Sequence, residues 1–324
     1  MKLFHVRKIS VLFAVCFALI FVCACSIILP PSSSSNDCLE VLFIDVGQGD
    51  STLIKFPDDK IMLIDCGGGQ NSANQNILKE LNARNIQDID YFILTHPSYD
   101  HVGGVASLLE TKNVKNVYVP KIINEQLFYD YSIAINIIRE KGANVKVSCL
   151  GEYIIGEGYA FTFLSPTSIT QSDSSYRDLN FSSSPTEEQI NDVSPIMYLQ
   201  CNGARFVING DAGFSQENLV VNNYNSSIYN ALNSAGVNVN LNSVDVLKVS
   251  HHGGENASGK EFLDIVRPKN AVISVGGNNN YNHPSSKVLG RILSSNENCN
   301  ILRTDVLGTI KITVNKDGLI LINK

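Results

Sequence analysis

Short apolar runs alternate along the chain with segments in which apolar residues recur every three or four positions. The short runs predict strands and the recurring pattern predicts helices. The predicted strands cover 39–44, 51–56, 60–64, 91–94, 114–119, 145–147, 161–164, 196–200, 204–208, 244–249, 271–274, 301–303, 309–314 and 319–322. The predicted helices lie around Ile77–Leu81 and at 105–109, 129–141, 215–221, 226–235 and 286–293. This alternation predicts an α/β domain of mixed sheets covered by helices.

The first residues of the chain depart from this pattern. Lys2, Arg7 and Lys8 precede an apolar run over 9–29, which is typical of a signal peptide or a membrane anchor. The run contains Val-Cys-Ala-Cys ending at Cys25, which is similar to a bacterial lipobox, where the last cysteine carries lipid. We therefore expect the protein to be a lipoprotein; an uncleaved anchor and ordinary secretion are the alternatives.

These features divide the chain into a signal peptide at 1–24, a Pro/Ser-rich tether at 25–38 and a globular domain at 39–324. Because the positive end of the leader stays inside, all three interpretations place the domain outside the cytoplasmic membrane. Residues 166–190 are polar and serine-rich, and we expect them to form a functional loop, a lid or a disordered segment.

Composition narrows the class of protein. The chain has 324 residues, of which 44% are hydrophobic and 17% charged, so it can bury a sizeable core and is not a collagenous, low-complexity or coiled-coil protein. Its net charge of −6 becomes −9 once the three basic residues of the leader are removed, which argues against a general nucleic-acid coat protein. An odd number of cysteines follows Cys25 without regular spacing, so we predict no disulfide framework.

Histidine is the most informative residue type. Five of the six histidines lie in three short segments: His96/His101, His251/His252 and His283. We interpret this clustering as one metal site assembled from distant parts of the chain. His283, in Asn-His-Pro, is also compatible with an ordinary loop histidine.

Carboxylates accompany the histidines. Asp100 lies in the segment 95–104, which follows a predicted strand, and Asp211 follows another predicted strand. Imidazoles and carboxylates together suit zinc or manganese, although Asp100 could instead cap a helix and Asp211 could belong to a turn. Since adjacent side chains on extended backbone point opposite ways, we expect only one of His251 and His252 to bind metal.

Seven motifs in order resemble the metallo-β-lactamase superfamily, specifically its ComEC-type competence-protein branch. They are Asp45–Ser51, Asp65–Gly68, His96–Gly104, Asn191–Ser194, Gly210–Ala212, Lys248–Gly253 and Asn282–Pro284. The resemblance runs from about Leu39 to the C-terminus, and we expect the hydrolase domain to stand alone, without the channel. It implies an αββα sandwich, two mixed β-sheets flanked by helices, with metals at one edge.

The resemblance also implies residue roles. His96 would serve a first metal, Asp100, His101 and His252 a second, and Asp211 would bridge the two. Asp65 would orient ligands through hydrogen bonds. The residues facing the reaction or the substrate's charge would be Asp211, Lys248, His251 and His283.

Ser98 departs from this pattern, because the family commonly carries His or Asp there as a ligand of the first metal. A neutral hydroxyl is a poor replacement. We therefore expect one tightly bound divalent ion, Zn or Mn, and a second, weakly bound one, or an attenuated activity.

These observations lead to three functional hypotheses. The favoured one is a metal-dependent phosphodiesterase or nuclease that acts on single-stranded DNA with a metal-activated hydroxide. The second is an esterase for a cell-envelope phosphodiester of the phosphorylcholine type. The third is a non-catalytic, metal-containing surface module, suggested by Ser98. β-Lactam hydrolysis is not expected, and no protein partner is evident beyond attachment to the membrane.

Overall fold

The computed structural model describes residues 38–166, 182–224 and 226–323. The predicted signal peptide at 1–24 and almost all of the tether at 25–38 lie outside the described residues, as do 167–181 of the predicted loop.

The described residues form fifteen strands that follow the predicted pattern closely. The strands are β1 Leu39–Phe43, β2 Thr52–Lys55, β3 Ile61–Ile64, β4 Asp88–Ile93, β5 Asn113–Val119, β6 Asn144–Val147, β7 Tyr153–Gly156, β8 Tyr159–Phe163, β9 Ile196–Cys201, β10 Ala204–Asn209, β11 Val246–Lys248, β12 Asn270–Ile273, β13 Asn300–Arg303, β14 Ile310–Val314 and β15 Ile320–Asn323. All the predicted strands are confirmed, and β7 is an additional one.

Ten α-helices in the described part of the chain connect these strands. They are α1 Asn71–Ala83, α2 Tyr99–Val102, α3 Val105–Thr111, α4 Tyr129–Glu140, α5 Glu187–Asn191, α6 Phe214–Asn223, α7 Ser227–Ser234, α8 Lys260–Val266, α9 Ser286–Ser295 and α10 Thr304–Leu307. The prediction that 166–190 is a structureless loop is wrong for its last residues, because α5 begins there. Thr186 and Gln189 cap this helix reciprocally, which stabilises its first turn despite the polar sequence.

The strands form two mixed sheets, as predicted. The first has the order β15-β14-β1-β2-β3-β4-β5-β6, and the second has the order β13-β12-β11-β10-β9-β8-β7. Strands β3 to β6 run parallel in the first sheet, and β10 to β13 run parallel in the second. The predicted hairpin joins β9 to β10, where Asn202 and Gly203 have φ of 50° and 86°, as a tight turn between twisted strands requires.

Side-chain alternation along the strands produces three apolar layers. Phe43 and Phe206 belong to a buried layer formed by side chains of both sheets, whereas Leu42 packs with helical residues such as Ile77 and Ile138 outside the first sheet. Leu247 packs with α8 and α9 residues outside the second sheet. Because each strand alternates its side chains between faces, a sheet covered on both faces must be apolar on both. The fold is therefore the predicted αββα sandwich.

Two further observations concern the described residues alone. Their five cysteines are all free, and Cys66, Cys149, Cys201 and Cys299 are buried. None of their helices has the length and apolar character needed to cross a membrane.

Candidate metal centre and cleft

The predicted metal ligands, and Asp65, which was predicted to orient them, follow the carboxyl ends of strands. Asp65 follows β3, the segment Thr95–His101 follows β4, and Asp211 follows β10. His251 and His252 lie in a short 3-10 turn after β11. Because β3 and β4 are parallel, as are β10 and β11, these loops emerge at one end of their sheets. The sandwich therefore brings together side chains separated by more than 180 positions.

Asp65 orients the first histidine segment. Its carboxylate accepts hydrogen bonds from the Thr95 backbone N–H (2.8 Å) and hydroxyl (2.7 Å), and its Oδ2 lies 2.7 Å from His101 Nδ1. Asp65 has a left-handed φ of 58°, a conformation that costs free energy for a residue other than glycine. These three contacts hold that conformation and leave His101 Nε2 facing the cluster. The structure thus places Asp65 where the resemblance implied.

The Asp211 carboxylate lies among three imidazoles. Its Oδ2 is 3.3 Å from His101 Nε2, 3.6 Å from His252 Nε2 and 3.8 Å from His96 Nε2. Gly210 permits this approach, because a Cβ there would lie 2.7 Å from Thr95 Cβ. This geometry suits a carboxylate that would bind a metal ion together with these imidazoles.

Asp100 and His252 complete one side of the cluster. Their Oδ2 and Nε2 atoms are 3.2 Å apart, and His252 Nδ1 lies 2.9 Å from the Ser274 carbonyl oxygen, which accepts a hydrogen bond from it. The expectation that extended backbone separates His251 from His252 is wrong, since both have left-handed φ, 49° and 53°. The turn nevertheless directs only His252 into the cluster.

Burial and neighbouring charges shift the pKa values of the clustered histidines and carboxylates, in different directions for different groups. Burial lowers the pKa of His96 to about 3, and the charge of His101 acts in the same direction. Burial also opposes the charged forms of His101 and His252. The nearby carboxylates, chiefly Asp211, outweigh it and raise the pKa of His101 well above its usual value and that of His252 to about 9. Although burial alone would raise them, the imidazoles, His101 foremost, hold the pKa values of Asp211 and Asp100 below their usual range. A divalent cation binding here would displace the imidazole protons.

Unpartnered buried atoms show that these residues fit a metal ion. His96 Nε2, His101 Nε2 and Asp211 Oδ1 are buried without a hydrogen-bond partner. Unsatisfied buried polar atoms carry a desolvation penalty of about 1–3 kcal/mol each, which a bound cation would remove. Imidazole nitrogens and carboxylate oxygens are suitable ligands for zinc and manganese.

Asp50 is a candidate ligand that the sequence analysis did not assign. Ligand atoms of Asp50, His101, Asp211 and His252 all lie within 4.8 Å of one another, and Asp50 Oδ1 is buried without a partner. Asp50 belongs to the motif Asp45–Ser51. The loop that carries it precedes β2 and lies far in sequence from every histidine segment. The motif was the one signal in the sequence that pointed to Asp50. The position of its carboxylate beside the histidines follows from the packing of the loop.

The expectation that Lys248 faces the substrate is wrong. Its side chain is 2% exposed, and its Nζ donates to Asp50 Oδ2 at 2.5 Å and to the Asn209 carbonyl at 2.8 Å. Lys248 is the last residue of β11 and remains inside the sandwich, so its charge is used to neutralise a buried carboxylate. Lys248 therefore holds Asp50 in position and does not contact the substrate.

A cleft of about 260 Å³ opens beside the cluster, and Ser98, Asp100, Asp211 and His252 reach its wall. It is lined by Gln48, Ser98, Asp100, Glu187, Asn191, Asp211, His251, His252, Tyr281 and His283. These lining residues include no lysine or arginine. Negative charge on a substrate would therefore be met by bound cations and imidazoles.

His251 and His283 flank the cleft outside the metal cluster. His251 Nε2 lies 3.3 Å from both Glu187 Oε1 and Asn191 Nδ2, and its Nδ1 lies 2.6 Å from Asn256 Oδ1. The His283 ring packs edge-on against His251 with centroids 5.3 Å apart. Burial, together with the charge of His251, lowers the pKa of His283 to about 4. His283 is thus a neutral group at pH 7, suited to hydrogen bonding.

The fold and this donor set define a class of protein. Residues 44–134 match the family described as the metallo-beta-lactamase superfamily. Over these residues the chain is similar to this superfamily, and its buried donor set could hold a divalent metal ion.

Within the superfamily, the chain is similar to competence proteins, as the motifs indicated. It is 30% identical over 288 residues to ComE operon protein 3 of Bacillus subtilis and 26% identical over 275 residues to competence protein ComA of Neisseria gonorrhoeae. These alignments cover 84% and 85% of this chain but 32% of each relative, so the chain spans about a third of their length. The metallo-β-lactamase fold protein YhfI of B. subtilis has a TM-score of 0.46 and 10% identity, covering 87% of this chain and 99% of YhfI.

The central position of Asp211 leads to the first testable prediction. We expect Asp211→Asn to weaken binding of Zn²⁺ or Mn²⁺ more than tenfold, because the bridging position loses its negative charge. Asp211→Ala should lose at least as much metal after dialysis, measured by plasma mass spectrometry.

His283→Ala is the matched control, since His283 lines the same cleft but does not contact Asp211. It should retain the metal content of the wild type. Equal metal content in folded Asp211→Asn and His283→Ala, checked by circular dichroism, would contradict the assignment.

Proposed function

We propose that the protein hydrolyses phosphodiester bonds of single-stranded DNA. The observation that carries this proposal is the open cleft beside a cluster of imidazoles and carboxylates, in a chain similar to competence proteins. When bound, a divalent ion supplies Lewis acidity and lowers the pKa of water towards 7. A bound ion therefore provides chemistry that the side chains alone lack.

The chain's own residues have distinct tasks in this proposal. Asp211 would help to hold the metal ions and could accept a hydrogen bond from the attacking water. His251 donates from Nδ1 to Asn256 Oδ1 and accepts at Nε2 from Asn191 Nδ2, so it would present a hydrogen-bond acceptor at the cleft wall. His283 can hydrogen-bond to a substrate oxygen from the same side. Charge that develops on the phosphoryl group is then met by cations and fixed donors, which stabilises the transition state.

Substrate screening of the purified full-length chain with Mn²⁺ or Zn²⁺ tests this proposal. We expect cleavage of an end-labelled single-stranded oligonucleotide, and loss of that cleavage in Asp211→Asn. Release of products from a cell-wall polymer without DNA cleavage would replace the nuclease by the cell-envelope esterase. Metal binding without turnover of any phosphodiester would favour the binding module.

Ser98 determines how the first ion would be held. His96 Nε2 lies 3.8 Å from Asp211 Oδ2, and Ser98 lines the cleft with a neutral hydroxyl. We propose that the second ion, Zn or Mn, is the tight one, held by Asp100, His101, Asp211 and His252. The first ion would bind weakly.

This asymmetry predicts the stoichiometry of metal. We expect about one ion per chain after dialysis, and Ser98→Asp or Ser98→His should raise the content towards two and increase activity at low added metal. Ser98→Ala, the matched control, should behave as the wild type. Two tightly bound ions in the wild type would overturn the weak-site proposal.

We also propose that Cys25 anchors the protein by lipid to the outer face of the cytoplasmic membrane, because 22–25 are similar to a lipobox. Cells given a radioactive fatty acid should label the wild type, and Cys25→Ala should remain unlabelled and unprocessed. Cys23→Ala, the matched control, should still be labelled, since alanine is common at that position of a lipobox. A wild type that takes up no label and retains 1–24 would contradict the proposal.

A further inference from the structure

Tyr281 presents an aromatic ring at the mouth of the cleft. Its side chain is 62% exposed although it lines the cleft. One face of the ring stacks on His283, with centroids 5.7 Å apart and planes inclined by 26°. His283 in turn packs against His251. The three rings thus form a continuous aromatic row from the metal side of the cleft to solvent.

The loop that carries Tyr281 is held in place by one side chain. Asn279 Oδ1 accepts hydrogen bonds from the backbone N–H groups of Tyr281 (3.1 Å) and His283 (3.0 Å). Asn279 Nδ2 donates to the carbonyls of Gly276 (2.9 Å) and His283 (2.7 Å). An exposed ring on such a braced loop loses little conformational freedom when a ligand stacks on it.

The chemistry of this row favours a flat, uncharged ligand group. Bases of single-stranded nucleic acid stack on exposed aromatic side chains, a contact that tolerates any sequence because every base has a π face. Among the described residues, the cleft lining contains no lysine or arginine, so stacking would compensate for weak attraction of the flanking phosphates.

We propose that Tyr281 is a base-stacking subsite, which holds a nucleobase next to the phosphodiester presented to the metal centre. This inference rests on the proposed function and specifies how the substrate is recognised. Tyr281 would then select nucleic acid over phosphodiesters that carry no aromatic group, without contributing to metal binding.

Two oligomers of equal length and phosphate number test the inference, one with normal bases and one built of tetrahydrofuran abasic residues. With Mn²⁺, wild-type kcat/KM should be about tenfold higher on the normal oligomer, the ratio expected from one stacked base. Tyr281→Ala should remove this preference by lowering only the rate on the normal oligomer. Tyr281→Phe should keep the preference, because it retains the ring.

Tyr129→Ala is the matched control, since Tyr129 is 75% exposed on α4 but does not line the cleft. It should leave both rates unchanged, and metal content should be equal in all four proteins. Equal wild-type rates on the two oligomers, or a preference that survives in Tyr281→Ala, would overturn the stacking subsite while leaving the nuclease proposal intact. Failure of the wild type to cleave either oligomer would instead overturn the proposed function and this inference with it.

Discussion

The interaction on which the rest of the site depends is the contact of one buried carboxylate with three buried imidazoles. Asp211 follows a strand of the second sheet, whereas His96 and His101 follow a strand of the first. Burying these groups without partners would cost several kcal/mol, so the ends of the two sheets must meet closely enough for the charges to compensate one another. A divalent ion completes this compensation, which links metal binding to the geometry of the sandwich.

A second buried pair sets the chemistry of the cleft. Lys248 is bound to Asp50, which leaves one oxygen of Asp50 towards the metal cluster. The same pairing removes the one basic side chain that the motifs had placed near the substrate. As a result, the cleft offers imidazoles, amides and carboxylates, and the binding of a phosphodiester would depend on bound metal more than on the protein's own cations.

The two proposed ion positions differ in the number of ligands they would offer. The tight ion would have Asp100, His101 and His252 beside Asp211, whereas the weak ion would have His96 and the hydroxyl of Ser98. In a two-metal hydrolase both ions normally share the developing charge. Because Asp100, Asp211, His252 and Ser98 all line the cleft, metal occupancy and substrate binding are expected to favour each other.

The alternation of strand and helix patterns in the sequence determined an α/β domain of mixed sheets covered by helices. The αββα sandwich was implied by the resemblance of its motifs to a known family. The sequence also singled out the histidine segments as parts of one metal site, because histidines and carboxylates placed just after apolar strands have few structural reasons to recur together. Helix α5 was hidden in a polar segment, because its stability comes from a capping box and not from an apolar face. The roles of Lys248, Asp50 and His251 were decided by tertiary structure alone. Burial and ion pairing depend on which loops pack together, and the left-handed turn at His251 and His252 directs one ring into the metal cluster and the other into the cleft, a choice that strand periodicity cannot make.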